Sequence, residues 1–284
     1  MNPIIILARM TFVQAIRRRI VLTGLLLGLC FLLVFSIGFH MINTRSFIPP
    51  NSNEATGIQH IYDAEKSSGL FLAGLYAVTF LGIAMAALLG ADTLAGEINS
   101  GTIQVIVTKP IRRSDVVLGK WLGFAGLLGL YLLLLAGGTT LSILVQSGYV
   151  APHLLAGLAL IYLESLIVMT VAMAFSSRFS ALATGGVVFG LYGLAFIGGW
   201  IEQIGAVLNS QTAVQVGILT SLIIPSESLW RRAAFEMQSP LSGLLGISPF
   251  GASSVPSLLM VAYAGFYLLA VLALTVRVFQ KRDL

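Results

Sequence analysis

Six stretches of this chain, residues 20–39, 69–91, 121–145, 154–175, 181–201 and 258–276, run for 19 to 25 residues with a single glutamate as their only charged side chain. A helix of about 20 apolar residues crosses the roughly 30 Å hydrocarbon core of a bilayer. The runs are continuously apolar, so they read as helices; strands of a membrane barrel would alternate. Six such runs in 284 residues leave little chain for a second solvent environment. Only 10% of the residues are charged and 57% are hydrophobic, whereas a soluble domain is about a quarter charged. Water-soluble folds and disordered chains are both excluded. The expectation is an all-α integral membrane protein, one transmembrane domain over residues 1–284 with six transmembrane helices.

The scarce basic residues give the orientation. With a cytoplasmic N-terminus, Arg9, Arg17, Arg18, Arg19, Lys109, Arg112, Arg113, Lys120, Arg178, Arg277, Lys281 and Arg282 fall inside, and Arg45, Lys66, Arg231 and Arg232 fall outside. That asymmetry satisfies the positive-inside rule with both termini cytoplasmic. It also accounts for the net charge of +5 without nucleic acid as a partner. The first run is longer than a signal-peptide core and reads as a retained span. Residues 1–19 ahead of it form an expected amphipathic interfacial helix, with Ile4–Leu7, Met10, Phe12, Val13 and Ile16 meeting lipid and the Arg17–Arg19 cluster meeting headgroups.

The outer segment 202–257 is less regular. Its stretch Ala206–Ile224 carries Asn209, Ser210, Gln211, Thr212, Gln215, Thr220 and Ser221, too many polar groups for a lipid-facing helix. It reads as a re-entrant helix before the last span, ended by Pro225. A short amphipathic helix capped by Ser226 or Ser228 is expected next. Leu229, Trp230, Phe235 and Met237 should lie on one side and Arg231, Arg232 and Glu236 on the other. Glycines recur at steps of three or four, as in Gly24/Gly28, Gly119/Gly123, Gly123/Gly126/Gly129 and Gly186/Gly190/Gly193. Such steps let helix backbones approach closely.

The loop at 92–120 parses physically. The second span should continue past the membrane through Asp92 and Glu97 until Gly101 stops it. Ile103–Val107 is an apolar knob too short to span, and Lys109-Pro110 breaks it. Ser114 is placed to cap the third span, with Asp115 at its positive end and Lys120 reaching the interface. An apolar knob flanked by charge fits a docking surface for another protein, or a patch folded back on its own bundle.

The motif Asp92, Gly96-Glu97, Gly101-Thr102-Ile103, Thr108-Lys109-Pro110-Ile111, Arg113, Asp115-Val116 and Gly119-Lys120 resembles the hallmark loop of type-2 ABC transporter permeases. Within that class the chain is most similar to permeases of multicopper-enzyme maturation, the NosY type. The resemblance implies a coupling helix around Glu97–Arg113 that docks on a separate ABC ATPase. Glu97, Thr102, Ile103, Val107, Lys109, Pro110, Arg112 and Arg113 are then the coupling residues. It further implies ATP and Mg2+ on the partner ATPase and none on this chain. Two permease chains would pair, as a homodimer or a closely related heterodimer, in a bacterial or archaeal cell membrane, and ATP-driven export is the expected activity. Consistently, no G-x-x-x-x-G-K-[ST] cradle occurs: Gly119-Lys120 is followed by Trp121. Metalloprotease and nucleophile-elbow motifs are also missing, so no catalytic role is expected.

Glu164 is the acid inside a span, where a carboxylate is costly. It marks a substrate path, a dimer interface or a structural hydrogen bond within the bundle. His40, His60 and His153 lie on the expected outer side without ligand spacing, so no metal site is assigned. Cys30 is the single cysteine and can form no disulfide within the chain. Two other functions remain open to the residues alone: an ion-coupled carrier, or a membrane anchor for a cytosolic partner.

Overall fold

The computed structural model describes residues 3–44, 55–99, 112–239 and 254–281, with the side chains of 55–60 and 94–99 outside that description. Every regular element among the described residues is α-helical. In chain order they are α1 (Pro3–Ile16), α2 (Arg19–Asn43), α3 (Ala55–Asn99), α4 (Arg113–Ser147), α5 (Leu154–Ser176), α6 (Ala181–Val207), α7 (Gln211–Ile223), α8 (Ser226–Met237) and α9 (Leu258–Gln280). Six of these, α2 to α6 and α9, are long and apolar enough to cross a membrane, and each contains one of the six apolar runs. An even number of crossings leaves both termini on one side, the cytoplasmic side by the basic residues.

α3 and α5 form the centre, where Leu72, Leu75, Val78, Ile167, Val168 and Met169 are fully buried. α2 and α9 are peripheral. Leu26, Leu33 and Val34 on α2, and Leu259, Phe266 and Leu269 on α9, face outward, as suits helices whose outer solvent is lipid.

Between apolar helices in lipid no hydrophobic force selects the contacts, so close approach and hydrogen bonds must. A side chain at Gly90 would meet Ala172 Cβ at 2.4 Å and the Met169 carbonyl at 2.7 Å, which locks α3 onto α5. Gly119 and Gly123 of α4 take Leu7, Ala8 and Thr11 of α1. α1 therefore runs alongside the start of α4 and leaves Ile5, Ile6, Met10 and Val13 exposed on its other face. Gly24 and Gly28 receive Met85 and Leu135. The Gly186/Gly190/Gly193 series, in contrast, meets nothing within 4 Å among the described residues, so it forms no seam with them. The tight seam on α6 is Gly198, Gly199 and Gly205 instead.

Polar side chains add specific ties. The Trp121 indole N–H donates to Thr170 Oγ1 at 2.8 Å, the Tyr162 hydroxyl to the Ala125 carbonyl at 2.9 Å, and the Tyr131 hydroxyl to the Gly24 carbonyl at 3.2 Å. Several threonines, among them Thr79, Thr139 and Thr170, bond the carbonyl four residues back and so satisfy themselves within the helix.

The segment before the last span is a hairpin. α7 and α8 meet at Ile224–Pro225 with a bend of 109°. Its path follows from the contact register. On α7, Ala213 packs at Gly205, Gly217 at Glu202 and Thr220 at Gly198, so α7 descends antiparallel to α6. On α8, the Trp230 ring packs tilted on Tyr76 of α3 with centroids 4.9 Å apart and Met237 packs on Gly157 of α5; just past its end the Ser239 N–H donates to Ser68 of α3. α8 therefore climbs back to the end from which α7 came. From Ser68 to Tyr76 is about 12 Å of helix rise, so the turn lies deep in the bundle. This is the geometry of a re-entrant segment.

Two details of the hairpin differ from the sequence expectation. α8 is buried on nearly every side: Leu229, Trp230 and Met237 share the inner face and Arg232 and Glu236 the more open one as expected, but Arg231 is inside and Phe235 outside. Its N-cap is Pro225, and Ser228 bonds the Pro225 carbonyl without capping. In α7 the polar residues Gln211, Thr212 and Gln215 occupy the first turns, Ser221 points inward, and Ile218, Leu219, Leu222 and Ile223 face outward. Polar residues are tolerated there because they are sorted by depth and face.

The glycine contacts yield a discriminating test. Gly90→Val should cost about 1–3 kcal/mol through a clash with the α5 backbone, read as a lower melting temperature in detergent. Gly190→Val, with open space around it, should leave the melting temperature unchanged. Equal effects at the two positions would contradict the packing.

Candidate functional site

Two polar regions stand out in an otherwise apolar molecule. The first lies at the cytoplasmic ends of α3 and α4. α3 continues through Asp92 and Glu97 to Asn99, well beyond its apolar run, and α4 begins at Arg113, eight residues ahead of Trp121. Arg112 is the N-cap and is exposed. Ser114, expected as the cap, sits inside the helix and donates to Asp115 at 3.3 Å. Of the residues assigned to coupling, Thr102, Ile103, Val107, Lys109 and Pro110 lie outside the described residues, as does the side chain of Glu97; Gly101, expected to end the helix, does too.

The flanks of this loop are tied to the rest of the bundle. Arg18, between α1 and α2, donates to Asp92 at 2.7 Å. The pair is about one-third exposed (30% and 35%) and so contributes little to stability, on the order of 0–1 kcal/mol; its consequence is to join the α1–α2 corner to α3. Arg113 donates to the Gln280 carbonyl at 3.1 Å, an interaction favoured by the negative C-terminal end of α9. Just above it Val117, Met173 and Phe279 form a small apolar cluster joining α4, α5 and α9. Lys120 is 4% exposed, and α1 packs beside it on Gly119 and Gly123.

The second region is inside the bundle. Glu164, on α5, is fully buried, and neither carboxylate oxygen has a hydrogen-bond partner among the described residues. A structural hydrogen bond to a neighbouring helix, one of the readings open to the sequence, is not found there. Glu164 is joined by Glu227 at the start of α8, buried to 2% exposure and near enough for the two carboxyls to repel. Glu227 Oε2 also lacks a partner. One turn further along α8, Arg231 is 1% exposed and donates from Nη2 to Glu202 Oε2 of α6 at 2.8 Å, with Nη1 in ion-pair contact with Oε1 at 2.7 Å; Nε and Nη1 make no hydrogen bond among the described residues. Ser254 donates to the same Glu202 carboxylate at 2.8 Å.

Two tyrosines lie within electrostatic range of both acids. The Tyr76 hydroxyl pairs with the Trp200 indole and lies within electrostatic range of both Glu164 and Glu227. Tyr192, on α6, is also in range of both. Arg231 pairs with Glu202 and lies within electrostatic range of Glu227, whereas the charged neighbour of Glu164 is Glu227.

Sequence reasoning found Glu164 and missed its companions. The sequence expectation begins the outer segment at residue 202, whereas α6 continues to Val207 and holds Glu202 buried. The sequence singles out no role for Glu227 and places Arg231 on the polar side of a short amphipathic helix. The available signal was their i, i+4 spacing within a mostly apolar segment. His40 and His153 are exposed and apart, and no group of metal-ligating side chains occurs among the described residues. Cys30 is exposed.

The Arg231–Glu202 pair generates a stability prediction. Arg231→Ala leaves a buried carboxylate uncompensated and should destabilise by about 3–5 kcal/mol. Arg231→Met combined with Glu202→Gln should recover most of that loss, because both charges leave together. Thermal unfolding in detergent measures both, and additive losses in the double variant would refute the pairing.

No curated protein matches the chain. The model of one family, described as ABC-2 family transporter protein, matches residues 6–284. The match covers all six spanning helices, the loop between α3 and α4 and the re-entrant hairpin, and the chain therefore belongs to the ABC-2 family, the membrane subunits of ABC transporters.

Proposed function

We propose that this chain is the permease subunit of an ATP-driven exporter and that the segment Glu97–Arg113 docks on a separate ABC ATPase. The observation that carries the reading is the mechanical tying of the two helices that flank this segment. α3 is joined to the α1–α2 corner by Arg18–Asp92 and to α5 at Gly90. α4 is joined to α9 by Arg113–Gln280 and to α1 at Gly119 and Gly123. A displacement of the loop therefore reaches every spanning helix through at most two contacts, α6 among them by its direct packing on α3. ATP and Mg2+ belong to the partner, whose closure on binding ATP would move the loop and bias the bundle between inward-facing and outward-facing states.

Two permease chains, identical or closely related, would assemble with two ATPases in a bacterial or archaeal cell membrane. Coupling residues on this chain are Glu97, Thr102, Ile103, Val107, Lys109, Pro110, Arg112 and Arg113. The narrower likeness to permeases of multicopper-enzyme maturation rests on the loop motif.

Affinity purification of the tagged chain from its native membrane should bring down a stoichiometric ABC ATPase. Charge reversal at Glu97 or at the exposed Arg112 should uncouple ATP hydrolysis from transport at an unchanged melting temperature. Arg113→Glu should lower both, because it places a negative charge at the C-terminal end of α9. Purification without an ATPase, together with proton-dependent uptake, would replace this reading with an ion-coupled carrier. Full coupling in the Glu97 and Arg112 variants would remove the docking assignment.

A further inference from the structure

A cleft of about 540 Å³ opens between α5, α6 and α9, and the inner end of α7 closes it at the top. Its floor is Val171 and Ala174 of α5, and Leu191, Ile223 and Val271 stand around it. Phe179, Ile223 and Leu274 are about half exposed, so the mouth faces lipid and not the interior of the bundle. The volume is that of a small-molecule site.

Every side chain that lines this cleft is apolar or aromatic except one. Arg178, in the turn between α5 and α6, lines its cytoplasmic end. Arg18 and Arg113, at the same end of the bundle, are engaged by Asp92 and by the Gln280 carbonyl. Arg178 is exposed, and its guanidinium meets no acceptor among the described residues. A second cation follows from the register of α9. Tyr267, Val271, Leu274 and Val278 line the cleft at steps of four, three and four. Lys281, three residues on with its backbone still helical, continues that stripe and is exposed. α6 begins at Ala181, so its positive end faces the same side.

The length of the cleft identifies the depth it serves. From Val278 to Tyr267 is about 16 Å of helix rise, and one leaflet contributes about 15 Å of hydrocarbon. The cleft is therefore apolar through one leaflet and cationic where that leaflet meets the cytoplasm. An apolar chain followed by an anionic head is the order of an anionic phospholipid. A guanidinium matches a phosphate in two parallel hydrogen bonds, and basic pockets between spans at the cytoplasmic side hold such head groups.

We propose that the cleft between α5, α6 and α9 binds one anionic phospholipid of the cytoplasmic leaflet, its phosphate on Arg178 and Lys281 and one acyl chain along the groove. The tail ends against Ile223, at the deep turn of the re-entrant hairpin, where the Tyr263 hydroxyl of α9 already donates to the Leu222 carbonyl at 2.6 Å. The lipid thus packs between the last span and the hairpin. The site depends on which end of the bundle is cytoplasmic and does not depend on coupling to an ATPase.

Native mass spectrometry of the purified full-length chain, titrated with dioleoyl phosphatidylglycerol or dioleoyl phosphatidylcholine, tests the site with tails held constant. One phosphatidylglycerol should bind per chain, tighter than phosphatidylcholine by about tenfold or more. Arg178→Gln and Lys281→Gln should each weaken phosphatidylglycerol about fivefold and leave phosphatidylcholine unchanged. Arg17→Gln, a cytoplasmic cation at the α1–α2 corner, should bind like the wild type. Ala174→Phe fills the groove from its floor and should weaken both lipids. Glycerol phosphate, a head group without tails, should displace neither. Arg178 and Lys281 are exposed, so their variants fold and decide the matter even if Ala174→Phe does not. Equal affinity for the two lipids overturns the proposal, as does a loss in Arg17→Gln as large as in Arg178→Gln. Displacement by glycerol phosphate overturns it too, by showing a phosphate site without a lipid. A dimer mass that Ala174→Phe halves, with no lipid bound, would give the cleft to a second copy of the chain and likewise overturn it.

Discussion

In hydrocarbon a backbone amide has no water to turn to, and each unsatisfied group costs several kcal/mol. The architecture follows from that constraint: the spans close their hydrogen bonds internally as helices, and association between them then relies on shape and a few polar ties. Gly90 against the α5 backbone, and Gly119 with Gly123 against α1, are where the shape term is largest. Trp121 with Thr170 and Tyr162 with Ala125 are where polar groups fix the register of α4 on α5.

The same constraint makes the re-entrant hairpin informative. Its helices α7 and α8 enter from one end and turn at Ile224–Pro225 inside protein, so their ends are screened from lipid. Such non-spanning backbone is tolerated only where it is packed or lines a polar interior. Here it carries Glu227 and Arg231 into the bundle, where they meet acids on two different spans. Charge is thereby concentrated at mid-depth in a chain that elsewhere keeps it at the ends.

The cytoplasmic end and the buried centre are connected through α5. Its last turns hold Met173 in the cluster with Val117 and Phe279, next to the helices that flank the loop. Two and a half turns deeper, the same helix carries Glu164. A helix with one end at the loop and its middle in the charged centre is a contiguous packed path between the two.

Much of the fold was legible in the sequence. Each apolar run lies within one long helix, and the break in composition after residue 201 marked the irregular hairpin. These follow because span length and hydropathy are local properties that the bilayer reads residue by residue. The loop motif, too, is linear, and it pointed to the family that the match over residues 6–284 establishes.

What only the tertiary structure decided is which polar residues meet. The sequence singled out Glu164 by its place inside a span. It could not pair it with Glu227, 63 residues away and across a re-entrant turn. Arg231 looked like a surface cation because its neighbours Arg232 and Glu236 are polar, and hydropathy gives no direction for a helix buried on nearly all sides. Glycines at three- and four-residue steps looked alike in Gly119/Gly123 and in Gly186/Gly190/Gly193, yet only the first pair has a helix against it. Local chemistry therefore determined the solvent, the spans and the family of this protein. The assembly of acids, arginine and aromatic rings at its centre depended on long-range packing, because burial and pairing are properties of the fold and not of any single segment.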